Sequence, residues 1–278
     1  MTRQLRLFLV AIQFYSRIPV TGRLAAWMGW DESWLGRATR YFPLVGLLVA
    51  LGQSLVYVAA SSVLPHPVSV LLALAAGLLL TGAFHEDGWA DFCDGFGGEN
   101  DRERTLAIMR DSRIGAYGAI GVGTLLLLRF ETLAHVDTEW IVVTLLCAAA
   151  VSRGCAVLVM ASLRYAREED DAKAKPVARN VAAFDASVAL AIAAAPGVVL
   201  SLWTGDATPV AVAAALALLA TALMRRMIAK RLAGYTGDCL GAVQQISEVA
   251  FLIGMLAVLD LHPTVEPAFD PDDTEEEQ

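Results

Sequence analysis

The stretch Thr81-Gly82-Ala83-Phe84-His85-Glu86-Asp87-Gly88-Trp89-Ala90-Asp91-Phe92-Cys93-Asp94-Gly95 joins an apolar run to a dense group of carboxylates. The run before it is long enough to lie in a membrane, and four acidic side chains follow within nine residues. In a helix, at about 100° per residue, Asp87, Asp91 and Asp94 fall within roughly a 60° arc. Like charges on one helical stripe repel each other, and carboxylate oxygens suit Mg²⁺ or Mn²⁺ shared with substrate phosphates. The pattern predicts a divalent-metal site at a membrane surface; the alternative is a solvated acidic loop.

The composition is that of a membrane protein. Of the 278 residues, 56% are hydrophobic and 18% are charged, whereas a soluble domain carries about a quarter charged residues. The net charge of −8 does not indicate a partner, because residues 260–278 hold eight acidic side chains and no Lys or Arg. The remaining chain is close to neutral, so a nucleic-acid partner is not expected. We predict a polytopic catalytic domain over 1–260 and an acidic, disordered tail over 261–278.

Apolar runs of membrane-helix length recur along the chain. The N-terminus, with Arg3 and Arg6 before an apolar stretch that Arg17 and Pro19 interrupt, is interpreted as an interfacial helix. The fold class predicted is an all-α integral membrane protein, and the 67–85 helix is expected to continue directly into the acidic motif. About seven spans are expected, over residues 41–63, 67–85, 114–130, 139–161, 184–203, 209–225 and 238–259.

The basic residues indicate the orientation of these spans. Nineteen of the 21 Lys and Arg residues fall in segments on one side of the predicted membrane, and only Arg129 lies at the border of an opposite-side loop. The positive-inside rule assigns the basic side to the cytoplasm. The sequence therefore predicts a protein of the cell membrane with its acidic motif on the cytoplasmic face and its tail outside.

A second polar motif, Ile108-Met109-Arg110-Asp111-Ser112-Arg113-Ile114-Gly115, follows the acidic motif by about a helix length. Arg110 and Arg113 share a helical face and are suited to bidentate contact with phosphate, while Asp111 would complete a metal shell. The alternative is a positive-inside anchor for the third span. The nearby glycines 115, 118, 121 and 123 are interpreted as close helix packing.

Further polar residues occur at or inside the later spans. Arg153 lies within the fourth span, where a charge marks a cavity or a buried partner; the alternative is a structural ion pair. Arg164 follows that span and is a candidate for substrate binding, with snorkelling as the simpler explanation. Asp238 begins the seventh span and would cap it or reach the metal. His85 is as well explained by packing or capping as by catalysis.

Together these motifs resemble the cobalamin synthase family, the adenosylcobinamide-GDP ribazoletransferases. The resemblance runs in order from about residue 8 to residue 258. It rests on His85-Glu86-Asp87-Gly88-x-Ala90-Asp91-x-x-Asp94-Gly95, the 108–115 motif, Ser152-Arg153-Gly154, Arg164-Tyr165-Ala166-Arg167-Glu168-Glu169, Thr236-Gly237-Asp238-x-Leu240-Gly241-Ala242 and the N-terminal segment 14–20.

The resemblance implies a Mg²⁺-dependent transferase of late cobalamin biosynthesis. Such an enzyme joins adenosylcobinamide-GDP to α-ribazole or its 5′-phosphate and releases GMP. Its partners are these substrates and the lipid bilayer, with a homo-oligomer and other corrinoid-pathway enzymes as further expectations. The expected metal ligands are Glu86, Asp87, Asp91 and Asp94; the catalytic residues are Asp94 as base with Asp91, Asp111 and His85; and the substrate-binding residues are Arg110, Arg113, Arg153, Arg164 and Asp238.

Two other functions have some support in the sequence. Asp91-Phe92-Cys93-Asp94-Gly95 matches the start of the CDP-alcohol phosphotransferase motif, but the rest of that motif is not found at the required spacing. Charged Arg153 and Glu248 inside spans suggest a transporter, yet no internal repeat of the kind common in transporters is detected.

Overall fold

The computed structural model describes residues 2–29, 31, 34–166 and 181–261, and these residues form twelve α-helices. The predicted acidic tail lies, apart from Leu261, outside the described residues. So does part of the Arg164 motif, from Arg167 onward. The helices in chain order are α1 (Thr2–Tyr15), α2 (Gly22–Met28), α3 (Trp34–Ala38), α4 (Phe42–Ser61), α5 (His66–Thr81), α6 (Phe84–Gly98), α7 (Arg102–Ile108), α8 (Ala116–Ala134), α9 (Ile141–Ser162), α10 (Ala183–Thr204), α11 (Thr208–Leu232) and α12 (Gly237–Leu261).

The expectation of an all-α multi-pass membrane protein is confirmed. In the described part of the chain, six helices are long and apolar enough to cross a membrane, and the number is seven if the bent pair of α5 and α6 is counted as one span. The seven predicted spans coincide with α4, α5 and α8–α12. The largest difference between a predicted and an observed boundary is at the end of α11. The helix continues to Leu232, because its last turn contains the charged residues Lys230 and Arg231 beyond the apolar part.

Two helices form the centre of the bundle. In α9, 72% of the most apolar window is buried, and in α12 the share is 67%, whereas α8, α10 and α11 bury 22–28%. The outer helices accordingly carry exposed leucines such as Leu79 on α5, Leu127 on α8 and Leu202 on α10. A lipid-facing surface of this kind is what a membrane-spanning bundle requires.

The predicted continuity of α5 into the acidic motif is wrong. The two helices meet at an angle of 87°, because two successive residues adopt left-handed backbone conformations. Gly82 has φ +68°, and Ala83 has φ +53°, a region that costs a non-glycine residue roughly 1–2 kcal/mol. Gly82 also closes α5 by donating its N–H to the carbonyl of Leu79. The break turns the acidic motif into a separate helix, α6, with its own direction.

The N-terminal segment supports this break. The predicted interfacial helix forms as α1, whose 14 residues are too few to cross a membrane. Just after it, the Arg17 N–H donates to the carbonyl of Leu80 at 2.7 Å. The Tyr15 ring stacks on Phe42 with ring centroids 4.1 Å apart, and Phe42 in turn stacks on His85 at 5.8 Å. The column of rings fixes the start of α6 against α1 and α4.

Candidate active site

The four acidic side chains of α6 lie in different environments. Asp87 is exposed, Asp91 and Asp94 are half-buried, and Glu86 is only 7% exposed. Glu86 forms an ion pair with Arg129 of α8, with 3.0 Å between Oε1 and Nη1. The helix therefore presents its carboxylates in two directions, with Glu86 toward the bundle interior.

Asp94 holds the N-terminus of α8. Its Oδ2 accepts the Gly115 N–H at 2.7 Å and its Oδ1 accepts the Gly118 N–H at 2.8 Å. A carboxylate is favoured at this position because the first N–H groups of a helix have no partner within the helix and carry partial positive charge. Asp94 thus ties the acidic helix to the loop that contains Arg110 and Arg113.

The start of α12 packs directly on α6. A Cβ atom at Gly88 would lie 3.0 Å from the Asp238 carbonyl oxygen and 3.1 Å from its Cα, and one at Gly241 would lie 3.1 Å from the His85 carbonyl oxygen. A side chain at either glycine would press on the backbone of the facing helix, so the absence of a Cβ allows this close approach. Gly88 lies between Asp87 and Asp91 in the sequence, so the half-buried Asp238 comes within reach of the acidic helix, as the metal-site interpretation requires.

The 108–115 motif forms a short loop between α7 and α8, and its charged residues lie at the surface. Arg110 and Arg113 are exposed. The Arg113 guanidinium donates to both oxygens of Asp111, with Nη2 to Oδ2 at 2.7 Å. These hydrogen bonds lower the pKa of Asp111 to about 2. Asp111 is therefore ionised and paired with Arg113 in this structure.

Arg164 is exposed at the end of α9, where the chain pairs with the start of α12. The Ala166 N–H donates to the Tyr235 carbonyl at 2.8 Å, and the Tyr235 N–H donates to the Arg164 carbonyl at 2.8 Å. The Arg102 side chain links the same two segments by donating to the carbonyls of Leu232 (3.0 Å) and Ala166 (2.9 Å). These bonds bring Arg164 beside the segment that leads to Asp238.

Arg153 lies apart from the exposed carboxylates. It is 4% exposed, donates to the Ala149 carbonyl at 3.0 Å, and its Nη1 is 3.7 Å from Glu248 Oε2. Its guanidinium also lies 5.8 Å from the centroid of the Phe42 ring. The structure thus places Arg153 in a buried ion pair, the alternative that the sequence left open.

Sequence reasoning missed Arg129. Although it was placed at the border of a loop, its side chain is 6% exposed and lies inside the bundle. Its Nη2 is 2.7 Å from Glu248 Oε1, and its Nη1 donates to Gln245 Oε1 at 3.2 Å. The spacing of residues in α8 could have indicated this burial. Arg129 lies on the same helical face as Gly118 and Leu125, and Gly118 and Leu125 are buried.

His85 is a packing residue in this structure. It is 2% exposed, and its ring lies against Phe42 and Phe84. It reaches the bundle interior, not the exposed face of α6 where Asp87 lies. The packing interpretation fits this position.

The predicted metal ligands do not form a closed cage. Within the described ranges, no group of three or more His, Cys, Asp or Glu side chains is arranged to hold a metal ion. Mg²⁺, however, is usually held by one or two carboxylates together with substrate phosphates. Asp87 and Asp91, one helical turn apart and not fully buried, fit that type of open site.

Comparisons with known proteins cover nearly the whole chain. The family model described as cobalamin-5-phosphate synthase matches residues 7–256. The chain is 42% identical over 263 residues to the adenosylcobinamide-GDP ribazoletransferase of Shewanella frigidimarina (92% of this chain, 96% of the relative). It is 43% identical over 257 residues to that of Leptothrix cholodnii (91% and 95%). No solved structure matches. With the described helices and motifs in the expected order, the chain belongs to the cobalamin-5-phosphate synthase family.

Proposed function

We propose that this protein transfers the cobinamide-phosphate part of adenosylcobinamide-GDP to α-ribazole, or to α-ribazole 5′-phosphate, and releases GMP. The observation that carries the proposal is that relatives at 42% and 43% identity, matched over more than nine-tenths of the chain, bear the name adenosylcobinamide-GDP ribazoletransferase. The product is adenosylcobalamin or its 5′-phosphate.

The reaction is a displacement at phosphorus. A ribose hydroxyl oxygen forms a bond to the cobinamide-bound phosphorus, and the bond from that phosphorus to the bridging oxygen breaks. GMP leaves with the bridging oxygen, and the hydroxyl proton passes to a base. Such a step needs positioning and charge neutralisation more than covalent chemistry from the protein.

We assign Mg²⁺ to Asp87 and Asp91. Asp87 is exposed and Asp91, one helical turn later, is half-buried, and the backbone of Asp238 abuts the helix between them. Bound there, Mg²⁺ would neutralise charge on the diphosphate and on the GMP leaving group. Glu86 is not in this set, because it is 7% exposed and its carboxylate points into the bundle, where its Oε1 accepts from Arg129 and Gln245.

Asp94 is assigned to positioning. Both of its carboxylate oxygens accept backbone N–H groups, so it holds the Arg110–Gly115 loop in place. The proton acceptor is assigned to the contact of α6 with α12, where Asp238, a carboxylate outside the assigned Mg²⁺ ligands, lies in the first turn of α12.

The exposed arginines are suited to the anionic parts of the substrates. Arg110 and Arg113 lie on the loop that Asp94 holds, and Arg164 lies beside the start of α12. A guanidinium group can bind a phosphate through two hydrogen bonds, and Arg113 would exchange its hydrogen bonds with Asp111 for this contact. The positive-inside rule places these basic segments, and hence the reaction, at the cytoplasmic face of the cell membrane.

The test is turnover by the purified full-length protein in detergent, followed by chromatography of released nucleotides. Adenosylcobinamide-GDP with α-ribazole should yield GMP only when Mg²⁺ is present. Asp87→Asn and Asp91→Asn should each abolish release, whereas Asp137→Asn, which changes an exposed carboxylate in another loop, should not. CMP release from a CDP-linked lipid donor, without GMP release, would overturn the proposal.

A further inference from the structure

Arg129 lies at the centre of a cluster of charged and polar side chains inside the bundle, which we call the buried charge cluster. It contains two guanidinium groups and two carboxylates, so its formal charges balance. Its members come from four helices, α6, α8, α9 and α12, and are Glu86, Arg129, Ser152, Arg153, Gln244, Gln245 and Glu248.

The acidic helix is fixed to α8 at two points. At one end Asp94 accepts the N–H groups of Gly115 and Gly118, and at the other Glu86 pairs with Arg129. The two carboxylates are eight residues apart, which is about 12 Å along α6. Two such attachments determine both the axial position and the rotation of α6 on its neighbour.

Arg129 extends the attachment to α12. The same guanidinium that pairs with Glu86 also pairs with Glu248 and donates to Gln245. Because α12 begins next to Asp238, one side chain links the helix that carries Asp87 and Asp91 to the helix that carries Asp238. A planar guanidinium can satisfy three acceptors in a fixed geometry, whereas an ammonium group cannot reproduce that fork.

The cluster is poorly explained as a source of stability. Burying two ion pairs costs desolvation energy that their attraction often does not exceed, and well-packed apolar residues would serve as well or better. A guanidinium that must meet acceptors on two other helices favours one register of the three helices, and fixing a register is the best-attested use of buried polar groups. In this protein that register decides where the exposed carboxylates lie.

We propose that Arg129 is a positioning residue that sets the register of the acidic helix against α8 and α12. The inference rests on the proposed function for its kinetic consequence, since it acts through Asp87, Asp91 and Asp238. It does not require Arg129 to touch substrate, and its 6% exposure agrees with that.

Three variants of the full-length protein test this role. Arg129→Lys keeps the positive charge but loses the planar arrangement of guanidinium N–H donors. Arg129→Met leaves the cluster with one excess carboxylate. The double variant Arg129→Met with Glu86→Gln restores charge balance without restoring the link. The matched control is Arg40→Lys, because Arg40 forms a buried ion pair with Asp185 of α10 that does not involve α6.

We expect kcat of Arg129→Lys to fall on the order of 10–100-fold, the effect of a displacement of about 1 Å at a reacting centre. KM should change less than kcat, because none of the proposed substrate-binding arginines, Arg110, Arg113 and Arg164, lies on α6. The double variant should recover the Tm lost in Arg129→Met but not its kcat. Arg40→Lys should keep its kcat.

A purely structural role would make kcat follow Tm. Recovery of both Tm and kcat in the double variant, or an unchanged kcat in folded Arg129→Lys, would overturn the inference.

Hydrogen exchange needs no substrate, so it tests the inference about Arg129 independently of the proposed function. Amides of α6 should exchange faster in Arg129→Lys than in the unsubstituted protein, while those of α10 should not. Unchanged α6 exchange would also overturn the inference, even if the unsubstituted protein proves inactive with these substrates.

Discussion

At the scale of single residues, neighbouring carboxylates of one motif differ in their partners and in their exposure. Glu86 is bound by Arg129 and Gln245, and Asp94 by two backbone N–H groups of α8. Asp87 is exposed. Charge alone therefore does not identify the metal-binding or proton-accepting residues of this motif.

Replacing Asp94 separates positioning from proton transfer. Asp94→Ala removes both acceptors from the N-terminus of α8 and should lower the free energy of unfolding by about 1 kcal/mol, the usual cost of a lost helix cap. Asp94→Asn keeps one acceptor oxygen and should retain part of both stability and turnover. Thermal unfolding in detergent and the GMP-release assay measure the two effects. If a well-folded Asp94→Asn is completely inactive, Asp94 is instead the base.

The pair of Asp111 and Arg113 should stabilise the protein near neutral pH and lose that effect at low pH. Its folded pKa of about 2 lies below the ordinary value of about 3.9, so the ionised form is favoured by folding. The stabilisation is complete above about pH 4 and is lost as the pH falls toward 2. The Tm difference between the unsubstituted protein and Asp111→Asn should therefore be constant from roughly pH 5 to 8 and shrink below pH 4. A difference that widens as the pH falls would contradict the assignment.

At the scale of helices, the contact of α6 with α12 depends on glycine. Gly88→Ala would place a Cβ 3.0 Å from the Asp238 carbonyl, and because the obstacle is backbone, the helices must separate. We expect kcat to fall on the order of 10–100-fold. Gly123→Ala is the matched control, since a Cβ there meets nothing within 4 Å and alanine favours a helix by about 1 kcal/mol. Equal kcat values for both variants would show that this contact does not position the site.

At the scale of the whole molecule, the proposed orientation can be measured with two exposed serines, Ser62 between α4 and α5 and Ser112 before α8. A membrane-impermeant maleimide should label Ser62→Cys in intact spheroplasts and Ser112→Cys only after lysis, since the positive-inside rule places residues 86–113 in the cytoplasm. The unsubstituted protein is the blank, because its cysteines are buried or half-buried. The reverse labelling pattern would place the site outside.

The amino-acid sequence by itself determined the apolar spans, the N-terminal interfacial helix and the location of the acidic motif. These properties depend on local composition: an apolar run of about 20 residues suffices to define a span. The sequence pattern did not reveal the 87° break at Gly82 and Ala83, because a left-handed alanine depends on what surrounds it, here the Arg17 segment bound at Leu80.

Only the tertiary structure decided which partners the carboxylates of the acidic motif have. Glu86 and Arg129 are 43 residues apart in the chain, and Arg129 and Glu248 are 119 apart. No local pattern specifies such pairs. They form because a buried charge must find an opposite charge or a hydrogen-bond partner, and which one is within reach depends on how α6, α8 and α12 pack.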